Sequence, residues 1–127
     1  MAGHRNRIAI IDDESDIANL FSEGLEMAGF KTTAFDDPED AIEYISLNHS
    51  KIALVTVDWW MPLMDGFRTM RLISDIDSNI RLLLISGYDL TEEQLKASKN
   101  VSYLKKPIKM AKLIETVEKE INLNKIK

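Results

Sequence analysis

The chain has 127 residues, of which 45% are hydrophobic and 29% are charged, with no cysteine and a net charge of −5. This length suits one globular domain, and the composition excludes a disordered chain, a disulfide scaffold and a thiolate metal site. The sequence shows neither a Lys/Arg block, nor an apolar run of roughly 18 residues, nor a secretory signal, so we expect a cytoplasmic protein without a nucleic-acid or membrane partner.

The chain begins with polar residues 1–6, which we expect to form a flexible lead-in. Residues 7–12 are an apolar run that ends in acid, which is typical of a buried strand. Ser15 or Asp16 is expected to cap the helix that follows, and Gly29 is expected to end it. Residues at three- and four-residue spacing predict the buried stripe of this helix: Ile17, Leu20, Phe21, Leu25 and Ala28.

The second strand, Lys31–Phe35, is less apolar and suits a sheet edge. Asp37-Pro38 is typical of an N-cap followed by a first-turn proline, so a second helix is predicted there. Its inner face would be formed by Ala41, Ile42, Tyr44 and Ile45. The third strand, residues 53–57, is apolar throughout and stops at a single carboxylate, Asp58, which predicts burial on both faces.

A third helix is predicted from Asp65-Gly66, with Phe67, Met70, Ile73 and Ile76 inside. The fourth strand, residues 80–86, ends at Ser86, and a helix with a thin apolar face (Leu95 and Ala97) follows over residues 91–99. The fifth strand, residues 101–104, leads into Lys105-Lys106-Pro107. The last helix begins near Lys109, and its apolar side is formed by Met110, Leu113, Ile114, Val117 and Ile121.

Strand and helix signals alternate five times, which predicts an α/β fold with a parallel sheet and crossover helices on both faces. No repeat or linker divides the chain. We therefore expect one domain over residues 7–123 and a frayed tail over residues 124–127.

Polar side chains follow four of the predicted strands: Asp12 and Asp13, Asp58, Ser86, and Lys106. The carboxyl ends of parallel strands meet at one edge of a sheet, where ligands bind in open α/β folds. Clustered carboxylates repel one another unless a cation joins them. Oxygen ligands favour Mg²⁺, with Mn²⁺ as an alternative, whereas the lack of cysteine argues against zinc or copper, as does the position of His4 and His49 away from the strand ends.

These groups suit phosphoryl transfer, in which catalysis consists mainly of positioning and charge neutralisation. Asp58 would attack phosphorus and become an aspartyl phosphate. Lys106 would pair with a phosphoryl oxygen and Ser86 would bond to the product. Each signal alone also has an ordinary explanation as a turn, an acidic helix start or a solvated basic pair. Their coincidence at successive strand ends favours a site.

The motifs that carry these residues resemble those of the receiver domains of two-component response regulators, including stand-alone single-domain members, over about residues 7–122. The resemblance depends on four stretches: Ile11-Asp12-Asp13-Glu14, Val57-Asp58-Trp-Trp-Met61-Pro62-Leu-Met-Asp65-Gly66, Ile85-Ser86-Gly87 and Tyr103-Leu-Lys105-Lys106-Pro107. It implies a flavodoxin-like (βα)5 three-layer sandwich with strand order 2-1-3-4-5.

The resemblance also implies a role for each site residue. Asp58 would be the phosphoacceptor and Ser86 the switch hydroxyl. Lys106, rather than Lys105, would pair with the phosphoryl group and precede a cis peptide bond to Pro107, and Tyr103 would be the switch aromatic. The expected metal ligands are Asp12, Asp13, Asp58 and the backbone carbonyl of Trp60.

The implied function is a Mg²⁺-dependent, phospho-accepting receiver that changes the surface of its fourth helix, fifth strand and fifth helix. Implied partners are a sensor histidine kinase or histidine phosphotransfer protein and a downstream protein target, with the receiver as a monomer or a phosphorylation-dependent homodimer. Such a protein catalyses only its own phosphorylation, from a phosphohistidine donor, and its own dephosphorylation. Nothing in the chain follows Lys127, which favours a stand-alone receiver.

Three alternatives remain. The chain can be the receiver fragment of a larger regulator whose output domain has been removed. It can be a pseudo-receiver that binds partners without phosphorylation, although its complete set of acids, hydroxyl and lysine argues against that. A haloacid-dehalogenase-type phosphatase would need a second Asp two residues past the nucleophile, where this chain has Trp60.

Three positions depart from the family pattern. Trp60 is bulkier than the small polar residues common two positions after the acceptor, and Tyr88 occupies the matching place after Ser86. We hypothesise that the two rings shield the phosphoaspartate from water and slow its hydrolysis; the alternative is that they contact a partner. Asn100 stands where glycine is frequent, and asparagine tolerates a left-handed backbone there.

Overall fold

The computed structural model describes residues 5–61, 64–96 and 100–126, with side chains up to residue 122. Among these residues, five parallel strands form one sheet in the order β2-β1-β3-β4-β5. The strands are β1 (Arg7–Ile11), β2 (Lys31–Phe35), β3 (Ile52–Asp58), β4 (Arg81–Ser86) and β5 (Val101–Lys105). The predicted fold class and strand order are confirmed.

Helices follow each strand. They are α1 (Ser15–Met27), α2 (Pro38–Asn48), α3 (Gly66–Ile76), α4 (Glu92–Lys96) and α5 (Met110–Ile126), and one 3-10 turn (His49–Lys51) precedes β3. Pro62, Leu63 and Ala97, which the sequence analysis used, lie outside the described residues. Helix α5 continues through the segment that we expected to fray, and fraying there stays a prediction.

The apolar runs of the central strands place the core on both faces of the sheet. Every residue of β3 and β4 is buried, as the uninterrupted apolar pattern predicted. One cluster packs α2 and α3 against one face, and a second packs α1 and α5 against the other. The edge strands β2 and β5 are only partly buried. The result is the predicted three-layer sandwich.

Two helix starts follow from side-chain capping. The Asp37 carboxylate accepts a hydrogen bond from the Glu39 N–H at 2.9 Å, and the Asp65 carboxylate accepts one from the Arg68 N–H at 2.8 Å. Gly29 ends α1 with a φ of 101°, a left-handed conformation that glycine adopts without strain. The Asp37 cap, the start of α3 at Asp65-Gly66 and the end of α1 at Gly29 were predicted from the sequence, whereas the capping role of Asp65 was not.

The start and the buried stripe of α1 differ from the prediction. Glu14, not Ser15 or Asp16, occupies the N-cap position, and no side chain caps the helix there. Leu20 is 53% exposed because the buried line runs through Ala18, Phe21 and Leu25, and a residue adjacent to Phe21 lies about 100° around the helix. Ala28 is also exposed, since it already lies beyond the last helical residue.

The edge of the sheet at which the strands begin, here called the amino edge, contains a buried ion pair. Arg81 on β4 donates to the Glu120 carboxylate of α5 through Nη2 (2.6 Å) and Nε (3.1 Å), and both residues are less than 10% exposed. The Ser102 hydroxyl of β5 donates to the same carboxylate oxygen, and Arg81 also donates to the Asn100 side chain. Asn100 has a φ of 58°, a left-handed backbone of the kind that asparagine tolerates.

A second charged cluster at the amino edge holds the end of the predicted lead-in. Arg5 forms an ion pair with Asp77 (2.9 Å) and donates to the His49 carbonyl (3.1 Å), while His49 Nδ1 lies 2.8 Å from the same carboxylate. Asn6 donates its backbone N–H to the Lys51 carbonyl. Residues 5 and 6 thus have defined contacts with the domain. Within the described ranges, no helix has the length and apolar character needed to cross a membrane.

Candidate functional site

The carboxyl edge, where the strands end, gathers the polar residues that the sequence placed at strand ends. Asp12 directly follows β1, Asp58 ends β3, Ser86 ends β4 and Lys106 directly follows β5. Asp58 pairs in register with Ile85 of β4, so its side chain emerges beside the end of that strand. The Lys106 ammonium lies 3.3 Å from an Asp58 carboxylate oxygen. Residues separated by up to 94 positions therefore share one site.

The two most buried acids of the site carry an unfavourable negative charge. Burial is the main effect on Asp58, and together with the Asp12 charge it raises the pKa of Asp58 to about 6, against smaller opposing effects from Lys106 and the Trp60 N–H. Burial likewise raises the pKa of Asp12, and the Glu14 N–H and Lys106 oppose this only in part. One lysine therefore does not compensate the charge of these carboxylates.

The acidic cluster fits a hard divalent cation. Asp12, Asp13 and Asp58 each offer a carboxylate oxygen, and these oxygens lie within 4.8 Å of one another. Such an all-oxygen set suits Mg²⁺. It is the only group of three or more His or acidic residues with metal-binding spacing in the part of the chain that the structure describes. The observed donors and the raised pKa values thus agree with a magnesium pocket.

Both backbone polar groups of Trp59, the residue that follows Asp58, are hydrogen-bonded. The Trp59 N–H donates to the Ile85 carbonyl at 2.8 Å, and the Trp59 carbonyl accepts the Gly66 N–H at 2.9 Å. A Cβ at Gly66 would lie 2.6 Å from the Trp59 Cα, so only glycine permits this approach. Gly66, at the start of α3, therefore packs directly against the residue that follows Asp58.

Ser86 and Tyr103 are linked through the peptide groups of one residue, Tyr88. The Ser86 Oγ accepts the Tyr88 N–H at 3.0 Å, and the Tyr103 hydroxyl donates to the Tyr88 carbonyl at 2.8 Å. The Ser86 hydroxyl proton stays free for another acceptor because Oγ acts as acceptor toward Tyr88. The sequence analysis named Ser86 and Tyr103 but missed this link, since backbone hydrogen bonds of a loop leave no pattern in the residue types.

The two lysines before Pro107 have different partners, as the resemblance implied. Lys106 faces Asp58, and its N–H donates to the Ser86 carbonyl at 2.7 Å. Lys105 instead forms an exposed ion pair with Asp89 at 3.1 Å. The peptide bond between Lys106 and Pro107 is cis, as expected. The structure therefore brings Lys106, and not Lys105, to the acidic cluster.

The two unusual aromatics lie at the rim of the site. Trp60 lies two residues after Asp58, and the Tyr88 N–H donates to the Ser86 hydroxyl oxygen at 3.0 Å, so both side chains start next to the pocket. Trp60 is 75% exposed and Tyr88 is 74% exposed, so neither ring is packed over Asp58 in this conformation. Their effect on phosphate lifetime, and the metal-ligating role of the Trp60 carbonyl, stay predictions.

The sequence analysis also missed the buried Arg81–Glu120 pair. A signal for it exists, because Arg81 opens an apolar strand and Glu120 falls on the apolar side of α5, next to Ile121 and three residues after Val117. A charged residue on a buried face requires a partner. The pair lies at the amino edge and does not belong to the acidic site.

Known proteins resemble this chain in sequence and in fold. The chain is 29% identical over 115 residues to the response regulator receiver protein CpdR of Brucella abortus, covering 89% of this chain and 94% of that one. It is 30% identical over 113 residues to the phosphoglycerate transport regulatory protein PgtA of Salmonella typhimurium, covering 87% of this chain but only 27% of that protein. The chain thus spans nearly all of one relative and about a quarter of another.

Solved structures of similar proteins have the same fold. A receiver domain protein from Clostridium thermocellum superposes with a TM-score of 0.85 at 25% identity, covering 94% of this chain and 97% of that one. One chain of the CheX-CheY-BeF3-Mg²⁺ complex from Borrelia burgdorferi superposes with a TM-score of 0.76 at 28% identity, covering 89% of this chain and 87% of that one. The sequence profile described as the response regulator receiver domain matches residues 8–118. The chain therefore belongs to the family of response regulator receiver domains.

Proposed function

We propose that this chain is a phospho-accepting receiver in which Asp58 takes a phosphoryl group from a phosphohistidine donor and so changes the surface formed by α4, β5 and α5. The observation that carries the proposal is the convergence of Asp12, Asp13, Asp58, Ser86 and Lys106 at the carboxyl edge. The donor would be a sensor histidine kinase or a histidine phosphotransfer protein.

The chemical step uses the buried carboxylate as the nucleophile. An Asp58 oxygen forms a bond to phosphorus while the phosphorus–nitrogen bond of the donor breaks, and that electron pair goes to the imidazole nitrogen. The Lys106 ammonium is already 3.3 Å from Asp58 and pairs with a phosphoryl oxygen of the product. Magnesium held by Asp12, Asp13 and Asp58, and by the Trp60 carbonyl as the family resemblance implies, would supply charge neutralisation when bound.

The response begins at Ser86. To donate its hydroxyl proton to the new phosphoryl oxygens, Ser86 moves toward Asp58 and weakens its 3.0 Å contact with the Tyr88 N–H. The Tyr88 carbonyl holds the Tyr103 hydroxyl, so a shift of this peptide changes the environment of Tyr103. Helix α4 follows this loop and has no buried residue over Glu92–Lys96, which favours movement of this element.

The remaining expectations belong to the same proposal. We expect a cytoplasmic monomer, or a homodimer formed on phosphorylation, that acts on a downstream protein. We expect no catalysis beyond its own phosphorylation and dephosphorylation. The single-domain and larger-regulator alternatives both stay open, since the relatives include proteins nearly matched in length and proteins several times longer. A pseudo-receiver is disfavoured because every acid, hydroxyl and lysine of the set is in place.

The test is phosphorylation by a small donor. Wild-type protein incubated with phosphoramidate and Mg²⁺ should gain the mass of one phosphoryl group, measured by intact-mass spectrometry. Asp58→Asn should gain none, and omission of Mg²⁺ should abolish the gain in wild type. Leu47→Ala, an exposed position on α2, is the control and should behave as wild type. Equal phosphorylation of Asp58→Asn and wild type would refute the proposal.

A further inference from the structure

Two large aromatic side chains at the site are unused by the proposed chemistry. Trp60 and Tyr88 are the most exposed aromatic residues among those the structure describes, at 75% and 74%. A Trp and a Tyr with this exposure bury little apolar surface in the free protein, so they contribute little to its fold. Their placement therefore calls for a role in binding.

The chain places both residues beside the reactive groups. Trp60 follows Asp58 by two residues, and the N–H of Tyr88 donates to the Ser86 hydroxyl oxygen at 3.0 Å. The Tyr88 carbonyl is held in addition by Tyr103. The two ring-bearing residues therefore start beside the nucleophile and beside the switch hydroxyl, the two groups that would contact the phosphoryl group.

A leaving group that departs from phosphorus opposite Asp58 must pass this rim. We infer that Trp60 and Tyr88 recognise the imidazole ring of a phosphohistidine side chain, and that they favour aromatic over non-aromatic leaving groups. This inference rests on the proposed function. An imidazole ring stacks on aromatic faces, and it is cationic while its second nitrogen carries a proton, so a cation–π attraction adds to the stacking.

The transfer balances with this assignment. The bond between an Asp58 oxygen and phosphorus forms as the phosphorus–nitrogen bond breaks, and its electron pair returns to the ring nitrogen. A ring that is protonated on its other nitrogen leaves as neutral imidazole, so no further acid is needed. The rings of Trp60 and Tyr88 form no bond in this step. They act as specificity residues by holding the leaving group in line.

The experiment compares two small donors, monophosphoimidazole, which has an aromatic leaving group, and phosphoramidate, which has none. The measured quantity is the ratio of the two phosphorylation rates for each variant. A general change in the pocket alters both rates by a similar factor and leaves the ratio unchanged, whereas loss of the ring contact lowers only the rate with monophosphoimidazole. Trp60→Leu and Tyr88→Leu remove the ring but keep apolar bulk. Trp60→Phe and Tyr88→Phe keep a ring. Leu47→Ala is the surface control.

The ratio should fall roughly three-fold in each Leu variant and roughly ten-fold in the double Leu variant, as expected for one exposed ring contact each. The Phe variants should recover most of it, and the control should match wild type. A binding readout accompanies the rates: imidazole added to wild type with Mg²⁺ and BeF₃⁻ should shift the Trp60 indole N–H signal in NMR spectra, whereas cyclopentanol should not.

Unchanged ratios in the Leu variants, or Phe variants that behave like Leu variants, would overturn the inference while leaving the proposed function intact. Failure of both donors to phosphorylate wild-type Asp58 would instead refute the proposed function, and the inference would fall with it. A lower ratio in Leu47→Ala would also overturn the inference, because the effect would then not be specific to the rim.

Discussion

Charged side chains are buried at both edges of the sheet, but only at the amino edge do neighbouring partners compensate their charges. At the amino edge, Glu120 receives hydrogen bonds from Arg81 and Ser102, and Asp77 is bonded to Arg5 and His49. At the carboxyl edge, three neighbouring acids face a single lysine. The pKa shifts differ accordingly.

Burial tends to raise the pKa of Asp77, yet hydrogen bonds from His49, Asn79 and Arg5 hold it below its ordinary value. The pKa of Asp58 is raised instead, because burial and the Asp12 charge prevail over Lys106. The comparison teaches that burial alone does not mark a functional site. A buried charge without compensating partners does mark one, since it destabilises the fold and is typical of residues that bind a ligand or react.

The largest effect should come from breaking the compensated pair. Arg81→Met leaves Glu120 buried without its cation, so the free energy of unfolding should fall by about 3 kcal/mol or more. Arg81→Met combined with Glu120→Leu should recover most of this loss, because no charge then remains buried. Urea unfolding of both variants and wild type measures it. A double variant as unstable as the single one would show that packing, and not charge, dominates at this position.

At the carboxyl edge, removal of a buried charge is expected to raise the free energy of unfolding instead of lowering it. Asp58→Asn removes an uncompensated buried charge, so without divalent cations at pH 7 the free energy of unfolding should rise by about 1–3 kcal/mol. Mg²⁺ should stabilise wild type and narrow the difference. Asp77→Asn, the matched change at the amino edge, should destabilise instead. Equal losses in the two variants would contradict the comparison.

The pH dependence should separate the two edges further. The pKa of Asp58 is raised from 3.8 to about 6 in the folded state, so the native protein binds this proton more tightly than the unfolded chain. The advantage of Asp58→Asn over wild type should therefore be absent below pH 3.8, grow up to about pH 6, and stay constant above it.

The pKa shift of Asp77 has the opposite effect on the pH dependence of stability. Its lowered pKa stabilises the native state above the ordinary value of 3.8, and this contribution is lost as the pH falls through the lowered pKa. Urea unfolding at a series of pH values gives both differences. A pH-independent advantage for Asp58→Asn would mean that its carboxylate is not the source of the instability.

The smallest effect is expected from the exposed pair at the carboxyl edge. Lys105 and Asp89 lie 3.1 Å apart but are 52% and 82% exposed, so Asp89→Asn should change the free energy of unfolding by less than about 0.5 kcal/mol. The same urea measurement tests this. A loss as large as that of Arg81→Met would show that pairing, regardless of burial, sets the size of these effects.

The site could be predicted from the sequence because apolar strands, polar residues at their ends and amphipathic helices alternate visibly along the chain. Polar side chains follow four of the five predicted strands, and these residues, Asp12, Asp58, Ser86 and Lys106, meet at one edge once the strands are known to be parallel. The choice of Lys106 over Lys105 came from the family resemblance, and the contact with Asp58 agrees with it.

The contacts that the sequence did not reveal depend on three-dimensional detail. The Arg81–Glu120 pair joins residues 39 positions apart, and nothing in either local pattern names the other partner. The exposure of Leu20 depends on a rotation of α1 that a stripe of apolar residues leaves open. The Asp12 carboxylate accepts the Glu14 N–H at 3.0 Å, so the turn before α1 is held by a site residue instead of the predicted cap.

The most direct test compares amide NMR spectra of the free protein with spectra recorded in Mg²⁺ and BeF₃⁻, which mimics the phosphoryl group. We predict large shifts at the carboxyl edge, around Asp58, Ser86, Tyr88 and Lys106, small shifts around Arg81 and Glu120, and no such pattern in Asp58→Asn. Spectra that do not change at the carboxyl edge, or that change equally in Asp58→Asn, would contradict the account.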